Sequence, residues 1–570
     1  MLISSLILCL LAVQDAGPQS PASQKPGSLA GQVVSLAGEP IRKAQVLLRR
    51  VDGRDAQPFA AVSDSGGAFV FPELQPGRYI VSAEKPGYVH QEFGASQASR
   101  VGTTISIGPG QEVTGIVMKL APQAVIAGKV LDEDGDPVPN GQVMVFKQRY
   151  MRGKRQWMPS GGVQVNDLGE FRASGLQPGR YLVAASSPRT GITARSARSA
   201  KAPFEEMLVT TYYPGVIDVA QATPVEVAAG AEERSIDLRM IKARTYRVSG
   251  KIVDPVRTAT AERSGGGGNS GVMLMLSASG SDAMSYVGRN VSPTRSGDGG
   301  FEFDGILPGA YTLTADRRLG AAEAHYGAHV DITVGDQNVD GVIVQLVPGA
   351  DLGGGIRVDG NRKVSVDNLR INLQTLTPIS YANFTGQVKP DGRFVIEGVL
   401  PDKYRVNIFP QSDLYLRTLR FGNQEVKDGL LDLSGGVSGS LELVMASDGA
   451  ALTGKVQDSK QRPAAGVTVV LAPDGARRSN PDLFKNAVTD QNGSFAFRAI
   501  PPGEYKVFAW EAVEEYAWTD PAFLGNFESQ GKSLSLNASA NENLTISFVA
   551  PEGGSQIERE ADEREKNNNK

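Results

Sequence analysis

The sequence predicts an all-β fold: a tandem array of five small antiparallel Greek-key β-sandwich domains. Three observations predict it. One short motif recurs five times at a fixed spacing. The segments around the motif alternate apolar and polar residues, as a half-buried strand requires. Gly (66) and Pro (33) punctuate the 570 residues, so that about seven short strands fall in each ~100 residues, the pattern of a small sandwich.

In the first repeat, Asp64-Ser65-Gly66-Gly67-Ala68-Phe69 runs into Leu74-Gln75-Pro76-Gly77-Arg78-Tyr79. The second has Gly169, Phe171, Leu176, Pro178, Gly179 and Tyr181, and the third Gly299, Phe301, Ile306, Pro308, Gly309 and Tyr311. The fourth reads Gly392, Phe394, Val399, Pro401, Asp402 and Tyr404, and the fifth Gly493, Phe495, Ile500, Pro502, Gly503 and Tyr505. From Phe to Tyr the spacing is 10 residues every time. Asp64–Gly67 and Asp490–Gly493 suit a type I turn, with Asp first and Gly fourth. A strand follows with alternating aromatics (Phe69 and Phe71, Phe301 and Phe303, Phe495 and Phe497). Pro-Gly then bends the chain into a second alternating run. A Tyr just past such a corner is expected to pack its ring inside and bond its hydroxyl to backbone, which makes it structural in each repeat.

Opening strands precede the motif at Gly31-Gln32-Val33, Gly128-Lys129-Val130, Gly250-Lys251-Ile252, Gly354-Gly355-Ile356 and Gly454-Lys455-Val456. Closing strands follow at 114–120, 234–240, 339–346, 439–445 and 543–549. The division expected is 28–121, 122–243, 244–348, 349–446 and 447–550 for the five sandwiches. Short linkers (Ala121-Pro122, Val347-Pro348-Gly349) predict a semi-rigid rod on the order of 150–200 Å long.

The motif resembles the carboxypeptidase regulatory-like domain, a transthyretin-like sandwich grouped with carbohydrate-binding-like folds, over essentially Ser28 to Pro551. That resemblance implies a non-catalytic accessory module. The fourth repeat departs from it at Asp402 and in its opening strand.

Composition sets the compartment. Leu2–Val13 is almost wholly apolar, long enough for a signal-peptide core and too short to span a bilayer. Residues 1–16 read as a signal peptide and 17–27 as a polar linker, so the mature chain is expected to be secreted, periplasmic or cell-surface, without a transmembrane segment. Leu8 before Cys9 argues against a lipid anchor. Cys9 is the only cysteine, so the mature chain would have neither disulfide nor thiol nucleophile. Lys and Arg (58) nearly balance Asp and Glu (62), which gives no bulk attraction to nucleic acid. The tail 551–570 is charged, poor in apolar residues and expected to be disordered.

No catalytic residue, cofactor or metal site is expected. Glu323, His325 and His329 make the one metal-like cluster, and the β context weakens it. Asp132–Asp136 reads as a hairpin turn before a calcium loop. The Gly265–Gly268 run lacks the Lys-Ser/Thr of a phosphate loop. Two regions escape the repeat. The second repeat carries Lys147, Arg149, Arg152, Lys154 and Arg155 with Trp157, and further cations at Arg189, Arg195, Arg198 and Lys201. The fifth carries Trp510, Tyr516, Trp518 and Phe523 among Glu511, Glu514, Glu515 and Asp520, residue types suited to sugar stacking or to packing at the sandwich edge. The reading is therefore a non-catalytic exported binding or scaffold protein whose partner is a polysaccharide or cell-envelope protein. The alternatives are a structural spacer or accessory subunit and, more distantly, a glycan-active or peptidase-associated enzyme. The candidate ligand residues are Trp510, Tyr516, Trp518, Arg152, Lys154, Arg155 and Trp157.

Overall fold

The computed structural model describes residues 25–51, 57–95, 101–151, 153–187, 203–253, 272–279, 289–291, 300–318, 325–360, 364–376, 383–410 and 413–548. The signal-peptide segment with Cys9, the Gly265–Gly268 run, Arg152, the Arg189–Lys201 cations, Glu323 and the tail lie outside them.

The described chain is all-β, and its strands form ten sheets. The sheets face each other in pairs around five apolar clusters, one within each sequence repeat. In repeat one, Ala68–Leu74, Gly27–Ser35 and Glu112–Leu120 make the first sheet. The second is centred on Gln45–Arg50 and Gly77–Glu84. Repeat five reproduces this with Ser494–Ile500, Ala450–Gln457 and Asn541–Ser547 facing the sheet of Thr468–Pro473 and Gly503–Trp510. Repeat four, the divergent one, forms the same pair and adds Tyr415–Phe421 and Gln424–Glu425 to its first sheet.

The sheets are not purely antiparallel. Each opening strand is antiparallel to its Phe strand but parallel to its closing strand, as in Gly27–Ser35 against Glu112–Leu120 and Ala450–Gln457 against Asn541–Ser547. Repeats two, three and four do the same. An antiparallel neighbour can follow through a hairpin. Opening and closing strands are separated by the rest of the repeat, so the chain can return in the same direction.

The recurrent residues are explained by this arrangement. A Cβ on Gly454 would stand 2.2 Å from the Leu544 carbonyl oxygen and 2.6 Å from the Phe495 ring. Gly31 meets Ile116 and Phe69, Gly250 meets Val342 and Phe301, and Gly354 meets Leu441 and Phe394 in the same way. In repeats one, three, four and five the motif Phe thus lies across the opening-strand Gly, whereas in repeat two Gly128 meets the Ile236 backbone. The corner tyrosines behave as expected. Their hydroxyls donate to the carbonyl four residues upstream, Tyr79 to Gln75 (2.6 Å), Tyr181 to Gln177 (2.7 Å), Tyr311 to Leu307 (2.8 Å), Tyr404 to Leu400 (2.7 Å) and Tyr505 to Pro501 (2.7 Å). All five rings are buried.

The units do not run as a rod. Gln491 of repeat five exchanges two hydrogen bonds with the Ser106 backbone of repeat one (3.2 and 2.9 Å). Arg405 of repeat four pairs with Asp482 at 3.6 Å, and repeat two reaches repeat five through Arg155 and Glu514 at 3.1 Å. Repeat five is a hub touched by repeats one, two and four. Short linkers limit the distance between neighbours in the chain but leave the direction of each turn open, and that direction here folds the array back. Neighbouring repeats also share strands, since Glu205–Leu208, from the second, pairs with Lys242–Val253, the opening strand of the third.

Candidate functional site

The two regions that escape the repeat meet each other. The sheet of Thr468–Pro473 and Gly503–Trp510 is buried on both faces. Its inner side supplies Val469, Leu471, Val507 and Ala509 to the repeat-five core. Its outer side supplies Val470, Ala472, Phe508 and Trp510 to a second cluster with Val513, Ala517, Trp518 and Leu524. The segment after Trp510 covers this face by a short helix, Pro521–Gly525, capped by the Asp520 carboxylate accepting from Ala522 N at 2.9 Å. Phe508 stacks on Trp510 at 5.3 Å and 8°, and Phe527 meets Trp510 edge-on at 5.6 Å. Glu528 fastens the end of the segment to the sheet. Arg478 donates to it at 2.7 and 3.1 Å and Lys506 donates as well. Those hydrogen bonds hold its carboxyl well down, at about 2.

Tyr150 completes the cluster from repeat two. It ends the strand Gln142–Met151, whose hairpin partner is Lys154–Gln164. Its ring is 6% exposed and meets Phe523 edge-on at 6.2 Å. The Arg155 guanidinium lies 4.9 Å above that ring and donates to Glu514 at 3.1 Å. Burial raises the Tyr150 hydroxyl pKa, and Glu514 and Asp520 add to this against the opposing charge of Arg155. At the tip, Gly153 lies so close to the Thr519 carbonyl oxygen that a Cβ would stand 2.8 Å from it. The basic hairpin and the aromatic–acidic segment are two halves of one contact.

The predicted ligand residues separate accordingly. Trp510 and Trp518 are each 2% exposed, so neither presents a face for sugar stacking while the contact is closed. The Trp510 indole N–H is buried without a hydrogen-bond partner, a cost on the order of 1–3 kcal/mol. Tyr516 is half exposed, in the left-handed backbone region at φ 63°. Lys154 is exposed and Trp157 partly so, the latter packing on the small outer cluster of Phe146, Leu182 and Ala184. Arg152 lies outside the described residues.

Lys147, the first cation of the basic run in the second repeat, is a corner residue. Its ammonium lies over the Tyr181 ring at 5.8 Å and donates to the Pro178 carbonyl at 3.2 Å. Arg50 donates to Pro76 at 3.0 Å, and Arg477 to Pro502 at 3.2 Å while lying 5.1 Å over Tyr505. A cation therefore closes the Pro-Gly corner in repeats one, two and five. Its signal in repeats one and two was a basic residue directly opposite the corner Tyr (Arg50 opposite Tyr79, Lys147 opposite Tyr181).

Among the described residues no group of three His, Cys, Asp or Glu could hold a metal ion. His325 and His329 lie on one extended strand, His325–Val334, where four residues span roughly 13 Å. Asp132 caps its own turn, accepting from Asp134 N at 3.0 Å and Asp136 N at 2.9 Å. A cleft of ≈700 Å³ between repeats four and five is lined by Tyr415, Arg417, Lys427, Arg477 and Asn480, among others. Arg417 is already neutralised there, donating to both Asp448 oxygens at 2.7 and 2.6 Å.

These features define a protein of serial β-sandwich modules whose signature residues serve turn, corner and core. The chain belongs to the carboxypeptidase regulatory-like domain family, whose model matches residues 28–120, 125–239 and 451–547, more than half of its length. The matched segments are repeats one, two and five, in each of which a cation sits on the corner carbonyl. No curated protein matches the chain. Among solved structures it is similar to the Bacillus anthracis TIE protein (13% identity, 57% of this chain and 51% of that one, TM-score 0.16). It is also similar to GBS52, the minor pilin of Streptococcus agalactiae (12% identity, 38% and 96%, TM-score 0.21). A third is BcpA, the major pilin subunit of Bacillus cereus (10% identity, 56% and 99%, TM-score 0.14). The chain spans about half the length of the TIE protein.

Proposed function

We propose that this chain is a non-catalytic, exported binding or scaffold protein of the cell envelope, made of five sandwich domains of which the first, second and fourth gather on the fifth. The observation that carries this reading is the engagement of every corner tyrosine in a backbone hydrogen bond. The residues that recur are used up by the fold, and membership in an accessory-module family agrees with that use. Binding then falls on surfaces that the repeat does not consume. Around the contact between repeats two and five these are Lys154, Trp157 and Tyr516, which remain at least partly exposed. Their chemistry, an exposed ammonium and partly exposed aromatic rings with Glu515 nearby in sequence, suits a polysaccharide or an envelope protein. Contacts between distant repeats argue against a plain spacer, which would keep its units apart.

Fractionation of cells expressing the full chain, followed by polysaccharide pull-down of the mature protein, tests this. The expected result is recovery outside the cytosol and retention that falls at least fivefold in a Lys154→Ala/Tyr516→Ala variant of unchanged thermal stability. Cytosolic recovery of the uncleaved chain, or retention indifferent to both substitutions, would overturn the reading.

A further inference from the structure

Repeats three and four meet on the outer face of the sheet formed by Gly309–Arg318 and His325–Val334. In that antiparallel register Arg318 stands opposite His325 and Asp316 opposite Gly327, so all four share the face. Gly327 leaves room for Leu400 of repeat four, 2.4 Å from where a Cβ would stand. His325 is 6% exposed. Its ring packs on Phe384 at 5.3 Å, and Phe384 meets the corner Tyr404 edge-on at 5.7 Å. Its Nε2 is 2.7 Å from Asp316 Oδ2, within repeat three, and its Nδ1 is 3.2 Å from the Gly398 carbonyl oxygen, in repeat four. Its own carbonyl accepts from Gly349 N at 2.7 Å.

A carbonyl oxygen and a carboxylate oxygen are both acceptors. Neutral imidazole has a single N–H, so one of its nitrogens would oppose an oxygen lone pair at a buried junction. Imidazolium donates to both. We infer that His325 is a proton-gated bolt between repeats three and four: the charged ring ties Asp316 to the Gly398 carbonyl, and loss of its proton unfastens one side.

Several charged groups face or flank the ring. Asp316 is the direct counter-ion and is shared with Arg318 at 4.0 Å. Asp351 accepts from Gly398 N at 3.1 Å, and Glu397 is exposed beside it. Arg318 is the cation on the same face. Arg317 stands opposite Tyr326 on the core-facing side of the strand, and His329 is exposed further along it. Acid fastens the bolt and base releases it.

The chain has three histidines, so ¹⁵N-histidine labelling of the full protein reads the ring directly. At pH 5.5 both His325 nitrogens should carry protons, and at pH 8.5 one should not. Corrected for intrinsic exchange chemistry, protection of the Gly349 amide should fall about tenfold between these values. In His325→Gln that pH dependence should vanish, and in Asp316→Asn the proton should be lost at lower pH. A singly protonated His325 ring at pH 5.5 would overturn the inference whether or not the variants fold. So would a pH dependence of Gly349 protection equal in wild type and His325→Gln.

Discussion

The two faces of one sheet in repeat five obey different rules. On the inner face, Val469, Leu471, Val507 and Ala509 pack against Phe495, Phe497 and Tyr505 of the same repeat. On the outer face, Val470, Ala472, Phe508 and Trp510 pack against a segment outside the repeat signature and against Tyr150, which is 320 residues earlier than Val470 in the chain. The inner face is closed by local pattern and recurs five times. The outer face is closed by a partner from another repeat. The same pair of strands thus carries a domain core on one side and the joint between repeats on the other.

The largest effect is expected where the inner pattern is tightest. Gly454→Val places a branched side chain against the Leu544 carbonyl and the Phe495 ring, both within 2.6 Å of the new Cβ. Neither a backbone carbonyl nor a buried Phe can retreat cheaply, so repeat five should lose about 3 kcal/mol or more. Gly353→Ala, in the opening strand of repeat four with open space around its Cβ position, should lose well under about 1 kcal/mol. Denaturant unfolding of both full-length variants compares them. A Gly454→Val protein as stable as wild type would mean that the Gly–Phe pairing does not hold the two strands together.

Tyr150→Ala acts on the outer face alone. It removes one ring from a cluster otherwise supplied by repeat five and leaves the core of repeat two intact. Truncating a buried aromatic costs about 3–5 kcal/mol in a full core, and roughly 2–4 kcal/mol is expected here because one face of the ring meets the Arg155 guanidinium. Hydrogen exchange should quicken across Val513–Leu524 and leave the strand Gly179–Ser186 unchanged. Exchange that quickens equally in both places would show one cooperative body, with no separable joint.

What could be read from the chain follows the same division. The Phe-to-Tyr spacing carried the turns, the corners and the inner cores, because each depends on residues within one repeat. The parallel closing strands were missed, since apolar alternation does not encode direction. The joint was missed for a related reason: no local pattern says which surface Tyr150 meets. A trace of it was nevertheless present. Val469-Val470-Leu471-Ala472 and Val507-Phe508-Ala509-Trp510 do not alternate with polar residues, the mark of strands buried on both faces. The matching strand in repeat one has Ser82 between Val81 and Ala83, as a strand with one solvated face should. Trp510 and Trp518 suited sugar stacking or packing at the sandwich edge equally by residue type, because composition alone does not reveal their cover.

The smallest expected effect separates packing from charge in that cover. Arg155 and Glu514 keep 50% and 32% of their side-chain surface exposed, so solvent screens their attraction and the pair should contribute under about 1 kcal/mol. Glu514→Gln keeps the shape and removes the charge. It should shift the exchange of Val513–Leu524 by less than fivefold, and 0.5 M salt should erase most of the difference. A double-mutant cycle with Arg155→Gln isolates the coupling from any change in repeat five itself. If Glu514→Gln opened the joint as far as Tyr150→Ala does, charge would hold the outer face and the aromatic ring would be incidental. The Tyr150 ring, buried at the end of a strand that repeat two needs for its own sheet, argues that the ring seats the hairpin and the ion pair only sets its register.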